Sequence, residues 1–380
     1  MKKRVLIIFT DNQYQVVFEM MKKVAIYMEQ TLGYEVCCCG VGSDYEKAKQ
    51  EEWDFIFSAQ GVEFAFLPQP DGKQHVSWLC DHPRAVLPRF RDYTDTEHML
   101  LGCVDKTHVT YLKRYYNIPH VFFLPHFGWE ANRAIPYAER SIDVFFPASY
   151  ILWEEEVKSR YEGLEGPLKI MTEKTIDYLL AHDNVSIEDA FDAIFRSCGE
   201  TNPDELTREC MEIVGEYVDS YCRSYYRNQV IGTLLEQGIH LTVCGRNWKH
   251  AKEFLPYGHN LTVLSEELTY TDVIEKIADS KIVLNVLPGF QFGGHERIAM
   301  ATLNHSVCLT DGNDFIRGLF ENPTGAVIYD RKHPEELAQQ IKWLLANPTE
   351  AMQIAQNGYN VAKQHLTVEC FVSDLLKEFS

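Results

Sequence analysis

Short apolar runs recur along the first third of the chain and are separated by segments with helical spacing. Two such helical segments are Val16–Leu32 and a stretch from about His108 to Tyr116. Strands that alternate with helices form parallel sheets through βαβ connections. The pattern therefore predicts a parallel sheet from the runs Val5–Phe9, Glu35–Cys39, Phe55–Ser58, Val76–Leu79, Leu100–Val104 and Val121–Leu124.

The second part of the chain repeats this pattern after an interruption. Ile142–Phe146 opens a second series of apolar runs, but residues 151–237 are charged, helical in spacing and poor in strand signals. We therefore expect a helical insertion there. The remaining strands are expected at Ile239–Cys244, Leu261–Leu264, Ile282–Val286, Ser306–Leu309 and Ala326–Tyr329, followed by helices at Pro334–Leu345 and Thr349–His365.

This organisation predicts an α/β protein with two Rossmann-like domains that face each other across a cleft. The segment from His126 to Arg140 has mixed polarity and contains Pro136, so it is interpreted as the connection. The expected domains are 1–140, on the acceptor side, and 141–365, which carries the insertion; 366–380 would be a helical tail. Ligands of doubly wound sheets bind at the carboxyl ends of the strands.

Charge and composition narrow the classes of partner and the compartment. The 380 residues include 36 basic and 55 acidic side chains, a net charge of −19, which disfavours nucleic acid and anionic lipid as partners. No stretch approaches the roughly 20 apolar residues of a membrane span. The opening run is too short for a signal peptide. Eleven cysteines without a CxxC pair indicate core thiols and no zinc site, so we expect a cytoplasmic protein.

A glycine-bearing segment, Pro288–Arg297, follows one predicted strand and precedes the helical run Ile298–Leu303. Glycines let backbone N–H groups approach a phosphate, and a helix N-terminus adds about half a positive charge. Arg297 in the first turn is a candidate bidentate ligand of a diphosphate. The alternative is a tight turn in which Glu296 only complements the helix dipole. Neither GKS nor GKT follows, so this is not a Walker loop.

Three further segments end predicted strands with polar side chains. Gly245-Arg246 places a cation at the crevice edge, either for a second phosphate contact or as an exposed charge. Asp81-His82 is a candidate general base, because a carboxylate can orient a histidine; the alternative is a hydrogen-bonded turn. His126 also follows a strand, beside the expected domain junction. Asp105 with His108 is interpreted as a helix cap, and Asp95-Thr96-Glu97 is not interpreted as a metal motif because no strand precedes it.

Several of these segments together resemble one family, the bacterial GT-B-fold glycosyltransferases of the group-one superfamily, in particular the branch related to spore-maturation and flagellin-modifying enzymes. The resemblance covers roughly residues 76–148 and 239–365. Its motifs are Trp78–Pro83, Gly102–His108, Phe123–His126, Asp143–Phe146, Val243–Trp248, Ser280–Asn285 and Gly294–Arg297 through Leu309–Asp311. The second-domain string is the more specific part, and the insertion has no counterpart.

The resemblance implies transfer of a sugar from a nucleoside diphosphate-sugar, which acts as co-substrate, to an acceptor hydroxyl on a protein, a glycan or another molecule. It implies no metal and no other cofactor. The C-terminal domain would bind the donor: Arg246 and Arg297 hold the diphosphate, Gly293 and Gly294 admit it, and the backbone at Leu264-Ser265 meets the nucleobase. Asp81, His82 and His126 would lie near the acceptor. The insertion is a candidate site for a partner chain.

The chain departs from the family pattern in the helix that follows the glycine loop. A glutamate that contacts the donor ribose and a glycine five residues later are replaced by Met300 and His305. Either Glu296, within His295-Glu296-Arg297, takes over the ribose contact, or donor recognition is altered. The alternatives are an inactive module that binds a nucleotide sugar or pairs with an active enzyme, and a nucleotide-sugar epimerase. A dinucleotide-dependent oxidoreductase is disfavoured, because Thr10–Gln15 contains no G-x-G-x-x-G.

Overall fold

The structure is a computed structural model that describes residues 2–9, 15–41, 43–48, 50–65, 73–90, 93 and 96–379. The chain divides into two compact units. Unit 1 comprises residues 1–128 and 366–380, and unit 2 comprises residues 129–365. Each unit is described separately below.

Unit 1 is built on one parallel sheet of six strands in the order β2-β1-β3-β4-β5-β6. Its central strands are buried on both faces, as parallel strands covered by helices require. The strands are β1 (Arg4–Phe9), β2 (Glu35–Gly40), β3 (Phe55–Ala59), β4 (His75–Leu79), β5 (Met99–Cys103) and β6 (Val121–Phe123). The helices are α1 (Val16–Gln30), α2 (Ser43–Ala48), α3 (Leu87–Phe90) and α4 (Lys106–Tyr116).

Unit 2 contains a second parallel sheet, in the order β12-β11-β10-β7-β8-β9. Its strands are β7 (Ile142–Pro147), β8 (Leu241–Cys244), β9 (Leu261–Val263), β10 (Ser280–Leu284), β11 (Val307–Asp311) and β12 (Val327–Tyr329). A π-helical turn (Trp153–Lys158) and four helices separate β7 from β8: α5 (Ser159–Glu162), α6 (Gly166–Ala181), α7 (Ile187–Ser197) and α8 (Asp204–Glu236). The later helices are α9 (Tyr270–Ala278), α10 (Glu296–Leu303), α11 (Asp314–Leu319), α12 (Pro334–Ala346) and α13 (Pro348–His365).

The predicted fold class is confirmed. Every apolar run that was expected to be a strand is one, with ends that differ by one or two residues in each case. The chain forms two Rossmann-like α/β units, and a helical insertion interrupts the second of them between β7 and β8. Apolar periodicity is sufficient for this result, because a buried parallel strand needs a continuous apolar run.

The division between the units falls twelve residues before the predicted boundary, after Gly128 instead of after Arg140. The connecting segment belongs to unit 2 because Arg140 anchors it there. Its buried guanidinium donates to the carbonyl oxygens of Ser280 and His305, both at 2.8 Å, and to that of Asn304 at 2.9 Å. Its Nε donates to a fourth carbonyl oxygen, that of Ile135, at 3.2 Å. Buried carbonyl groups need donors, and this single side chain supplies them.

The C-terminal segment was predicted as a helical tail, and residues 366–380 are part of unit 1. Helix α14 (Val368–Lys377) inserts Phe371 among aromatic rings of that unit. The ring of Phe371 lies 4.9 Å from Trp78 and 4.7 Å from Phe127, measured between centroids. Hydrophobic contact of this size explains why the segment joins the first unit after the chain has completed the second.

A buried acid lies in the turn that follows β3 in unit 1. Glu63 is fully buried and accepts a hydrogen bond from Ser58, whose hydroxyl lies 2.9 Å from that of Ser77. Burial raises the pKa of Glu63 to about 7, although His75, the Ser58 hydrogen bond and Arg89 act in the opposite direction. Glu63 is therefore largely protonated in the folded chain at mildly acidic pH.

Replacing Glu63 by glutamine should remove a pH dependence of stability. Between the unfolded pKa of about 4.3 and the folded pKa of about 7, the folded state binds more protons, so stability falls as the pH rises through this window. The full effect is about 4 kcal/mol, from a difference of about 2.7 between the two pKa values at 1.36 kcal/mol per pKa unit. We expect E63Q to raise the melting temperature at pH 8 relative to wild type, and to raise it less at pH 5.

The exposed Glu29 provides the control, since E29Q should leave the pH profile of the melting temperature unchanged. Parallel profiles for wild type and E63Q between pH 5 and pH 8 would show that Glu63 is ionised throughout, contrary to the expectation.

All eleven cysteines are free thiols, and seven of them are buried. Cys37, Cys38 and Cys39 lie in the edge strand β2, as expected from their position in an apolar run. Over the ranges that the structure describes, no helix is both long and apolar enough to cross a bilayer.

Candidate functional site

The topology of unit 2 defines where a ligand would bind. The strand order reverses at β7, which has β10 on one side and β8 on the other. In open parallel sheets, the crevice outside the carboxyl ends of the strands at such a reversal is the ligand position. Three features lie at these ends: Phe146 in β7, Cys244 in β8 and the glycine loop Pro288–Gly294 after β10.

Arg297 occupies the first turn of α10 at this edge and is 5% exposed. Its Nη1 donates to Asn285 Oδ1 at 3.3 Å, and its guanidinium carbon lies 5.8 Å from the centroid of the Phe146 ring. Asn285 is itself fixed, because its carbonyl oxygen accepts from the hydroxyl of Tyr329. Burial lowers the pKa of Arg297, and the nearby Glu296 opposes this effect. The first helical turn therefore presents a buried cation.

His295 and Glu296 hold this cation from the side of the loop. The Nδ1 atom of His295 lies 2.5 Å from Oε2 of Glu296, and its Nε2 lies 3.5 Å from Nη2 of Arg297. The same Nδ1 accepts from the backbone N–H of Arg297 at 3.4 Å and so caps α10. A neutral imidazole with its proton on Nδ1 would instead donate to the carboxylate, and its Nε2 would accept from the guanidinium. The His-Glu-Arg sequence is thus a connected polar cluster at the start of α10. Glu296 is 8% exposed.

The glycine loop is fixed from two sides. Asn313 Nδ2 donates to the carbonyl oxygens of Phe290 and Gly293, at 3.0 and 2.9 Å. Gly293 and Gly294 are buried, and a Cβ atom on Gly294 would lie 3.3 Å from Ile316. On the other side, a Cβ atom on Gly289 would lie only 3.1 Å from Oδ1 of Asp219 in α8. A Cβ atom at either glycine would therefore make a tighter contact than most Cβ atoms do, and its neighbour would have to shift slightly.

Arg227, in the insertion's last helix α8, is a candidate site residue that the sequence interpretation did not include. Its guanidinium carbon lies 5.9 Å from the same Phe146 ring that Arg297 contacts. Its Nη1 donates to Ser149 at 3.4 Å, and its Nε is buried without a hydrogen-bond partner in the described part of the chain. Burial, together with the positive charges of Arg223 and Arg297, lowers the pKa of Arg227 to about 9.

The buried Arg297 and the half-buried Arg227 form a site of positive charge that the nearby carboxylates of Glu296, Asp219 and Asp311 offset only in part. Among the described residues, no carboxylate forms an ion pair with either guanidinium, whereas Arg223 pairs with Asp219 at 2.9 Å and Arg331 pairs with Asp311 at 3.1 Å. The nearby thiols of Cys244 and Cys308 are no substitute, because burial raises both pKa values to about 12. Buried charge without a partner is costly. The arrangement favours binding of an anion.

Arg246 is exposed, in contrast to Arg227 and Arg297. Its position is set by Gly245, which has φ +121°, and a Cβ atom there would lie 2.7 Å from the backbone nitrogen of Ser149. The backbone N–H of Arg246 donates to Ser149 Oγ at 3.2 Å. The strand end therefore requires glycine for close approach of two backbones, and the cation that follows it projects toward solvent.

Ser265 lies just beyond β9 and is exposed. Its Oγ accepts from the backbone N–H of Glu267 at 3.1 Å. The N–H of Leu264 donates to the carbonyl oxygen of Val243 at 2.9 Å, so that donor is committed to the sheet.

In unit 1, the structure gives Asp81 and His82 different partners. The carboxylate of the exposed Asp81 accepts from Gln60 Nε2 at 2.5 Å. His82 Nδ1 accepts from the backbone N–H of Arg84 at 3.2 Å and caps the short helical turn Pro83–Ala85. Its ring packs against His108 and Tyr111, with centroids 4.6 and 4.7 Å away. The sequence allowed two interpretations of Asp81-His82, a general base and a hydrogen-bonded turn. The contacts of His82 are those of a hydrogen-bonded turn.

His126 is buried, 7% exposed, and packs edge-on against Trp78 with ring centroids 5.3 Å apart. The indole N–H of Trp78 donates to the carbonyl oxygen of Leu124. Asp105 caps α4 through Thr107, as the sequence indicated.

Met300 and His305, which depart from the family pattern, both make packing contacts inside unit 2. Met300 is fully buried in α10. His305 has φ +53°, a conformation that favours glycine, and its ring stacks on Tyr359 with centroids 4.1 Å apart. The stacking contact stabilises a histidine where the family has glycine.

The described residues contain no group of three or more His, Cys, Asp or Glu side chains arranged to hold a metal ion. Asp95 lies outside the described residues, as does Thr10–Tyr14, on which the argument against a dinucleotide site rests.

Comparison with known proteins agrees with this geometry. Residues 227–377, which begin at Arg227, match a family model described as glycosyl transferase-like. No curated protein sequence matches the chain. The likeness at the level of sequence therefore concerns the part of unit 2 from α8 onward, and it runs on into α14 of unit 1.

Solved structures with the same fold are glycosyltransferases. An α-glucosyltransferase in complex with UDP and a 13-mer DNA has a TM-score of 0.62 at 10% identity, over 100% of both chains. Sucrose-phosphate synthase from Thermosynechococcus elongatus has a TM-score of 0.55 at 8% identity, over 100% of this chain and 98% of that one. Anabaena Alr3699/HepE, in complex with UDP and glucose, has a TM-score of 0.55 at 12% identity, over 99% of both. The fold is that of GT-B glycosyltransferases.

Proposed function

We propose that this chain transfers a sugar from a nucleoside diphosphate-sugar to an acceptor hydroxyl, without a metal ion. The observation that carries the proposal is a pair of guanidiniums on one Phe146 ring, those of the buried Arg297 and the half-buried Arg227, with no carboxylate ion-paired to either among the described residues. A diphosphate would neutralise both charges. It would bind beside the N-terminus of α10, where the helix dipole also favours negative charge.

The chemistry follows from the position of these charges. When the bond between the anomeric carbon and the diphosphate breaks, the leaving diphosphate gains negative charge. Cations already fixed in a buried site stabilise that charge without reorganisation, which is the largest contribution in many enzymes. Arg297 and Arg227 would do this here, and Gly293 and Gly294 would let the phosphates approach the backbone. Arg246, being exposed, is assigned a minor part.

The remaining donor contacts are assigned by extension from the family. Glu296 would take the ribose, although it would have to exchange its contact with His295 for one with the ligand. The backbone at Leu264-Ser265 would meet the nucleobase. Because solved glycosyltransferases of this fold include complexes with UDP, uridine nucleotides are the first candidates.

The acceptor would be bound by unit 1, with Asp81 as the base for its hydroxyl and with His82 and His126 nearby. A protein or a glycan is the proposed acceptor class, in a cytoplasmic setting. The net charge of −19 argues against nucleic acid in that role.

In the insertion, Ile170 and Ile213 are 53% and 66% exposed, which fits the suggestion that a partner chain binds there.

Thermal shift in the presence of UDP, GDP, CDP, dTDP and their common sugar conjugates tests the proposal, with NAD as the control. A ligand that binds only the folded state raises the melting temperature according to its concentration relative to Kd. One nucleoside diphosphate should stabilise the protein, and its sugar conjugate should be turned over with release of the free diphosphate. NAD should have no effect.

The alternative of a binding module is favoured by one observation, the fully buried Met300 at a position where the family has a donor-binding glutamate. That alternative predicts stabilisation by a nucleotide sugar without release of the diphosphate for any acceptor. Sugar isomerisation without an acceptor would instead identify an epimerase. If no nucleotide of the panel stabilises the protein, the donor site does not exist and the proposed function fails.

A further inference from the structure

Gln60 ends β3 in a conformation that its residue type rarely adopts. It has φ +59°, in the left-handed region, and it is 9% exposed. Glutamine has no local hydrogen bond that favours this region, unlike asparagine or aspartate, and glycine would adopt it without steric cost. A side chain other than glycine at such a position must be held there by its surroundings.

The surrounding hydrogen bonds do hold this turn. The backbone N–H of Gln60 donates to the carbonyl oxygen of Trp78 at 2.8 Å, and Nη1 of Arg89 donates to the carbonyl oxygen of Gln60 at 2.7 Å. The next residue, Gly61, donates its N–H to Ser77 Oγ at 2.7 Å. The backbone bonds alone are therefore sufficient to fix the turn, and they do not require a glutamine side chain.

The side chain of Gln60 contacts the residues that follow β4. Its Oε1 accepts from the backbone N–H of Cys80 at 3.1 Å, and its Nε2 donates to Oδ2 of Asp81 at 2.5 Å. Asp81 is exposed, and its Oδ1 has no hydrogen bond within the part of the chain that the structure describes. One carboxylate oxygen is thus held by a buried amide, and the other remains open to a ligand.

We propose that Gln60 is the positioning residue for Asp81, and that its amide fixes the carboxylate so that Oδ1 can accept the proton of the acceptor hydroxyl. This inference rests on the proposed function. In the step, the hydroxyl proton moves to Asp81, and the hydroxyl oxygen forms its bond to the anomeric carbon. The bond from that carbon to the diphosphate breaks, and its electron pair leaves with the diphosphate. Orientation of a reacting group within a fraction of an ångström strongly affects rate.

The substitution Q60G tests the side-chain amide of Gln60 separately from the backbone conformation of the turn. Glycine adopts φ +59° readily and keeps both backbone hydrogen bonds, so the fold should persist while the contact with Asp81 is lost. We expect kcat for diphosphate release from UDP-glucose to fall about 10-fold or more with KM for this donor unchanged. Should another nucleotide sugar of the panel be the substrate, that donor is used. D81N should lower kcat about 100-fold or more, as expected for loss of a general base.

The double variant Q60G/D81N provides the decisive comparison. If Gln60 acts through Asp81, adding Q60G to D81N should change kcat less than about twofold, since the two residues act as one unit. Q60N, which retains an amide and tolerates the left-handed region, should recover part of the loss. Asn117 has φ +54° at the exposed end of α4, so N117G controls for glycine at such a position and should behave as wild type.

Two outcomes overturn this inference alone: wild-type turnover by Q60G or D81N, or full additivity of the two effects on kcat. Absence of turnover by the wild-type chain with every donor of the panel would overturn the proposed function and this inference with it.

Discussion

Replacing Arg297 by methionine should reduce sugar transfer at least about 100-fold, as loss of one transition-state hydrogen-bond donor does in other enzymes. The same variant should lose most of its stabilisation by UDP. Without ligand, its melting temperature should fall less than that of R140M, because the substitution leaves Asn285 Oδ1 without its donor but also removes the repulsion between Arg297 and Arg227. Thermal shift and diphosphate release measure both effects.

Arg140 is a matched control, since it is also a buried arginine of unit 2. Its guanidinium donates to four carbonyl oxygens and to one hydroxyl, those of Ile135, Ser280, Asn304, His305 and Ser306. R140M should therefore lower the melting temperature by removing donors from buried acceptors, without changing the affinity of the folded protein for UDP. A ligand-free R297M protein that melts as early as R140M would mean that Arg297 is primarily structural, contrary to the proposal.

Replacing Arg227 by methionine should weaken UDP binding about 10- to 100-fold, which corresponds to the 1.5–3 kcal/mol of a hydrogen bond to a charged group. R246A should change it less than about threefold, because an exposed cation interacts with a phosphate through water and salt. Titration of UDP at low and moderate ionic strength distinguishes the two. A small residual effect of R246A should disappear as salt is added, and the effect of R227M should persist.

The reverse ranking, with R246A the more damaging variant, would return the second phosphate contact to Arg246, where the sequence first suggested it. It would also mean that the insertion contributes nothing to the donor site. Equal loss in both variants would indicate a diphosphate held by three arginines.

The fold could be predicted from the sequence because each buried parallel strand corresponds to a continuous run of apolar residues. The same reasoning located the glycine loop and Arg297, since a loop between strand and helix has one position at the sheet edge. The domain boundary was placed too late for a physical reason. The polar segment before β7 is held by the side chain of Arg140, and such long-range hydrogen bonds have no local signal.

Arg227 was missed because it lies in the charged segment that was interpreted as a helical insertion without a counterpart in the family. Its helix carries Val230, Ile231, Leu234 and Leu235 on its buried face and leads directly into β8, so α8 is the crossover helix of the βαβ unit as well as the last helix of the insertion. That apolar spacing was the available signal. Asp81 and His82 illustrate a different limit, because neighbours in sequence need not share hydrogen bonds, and the partner of Asp81 lies 21 residues earlier.

The position of α14 has a consequence for how the protein is made. The aromatic cluster of Trp78, Phe127 and Phe371 needs a residue that leaves the ribosome after every part of unit 2. Domains generally fold as units during synthesis, N-terminal first. In this chain the second unit is complete first, because all its residues have been synthesised by His365. The first unit keeps an uncovered apolar surface until α14 leaves the ribosome. During translation, the exposed edge of that nascent unit is where chaperones would be expected to bind.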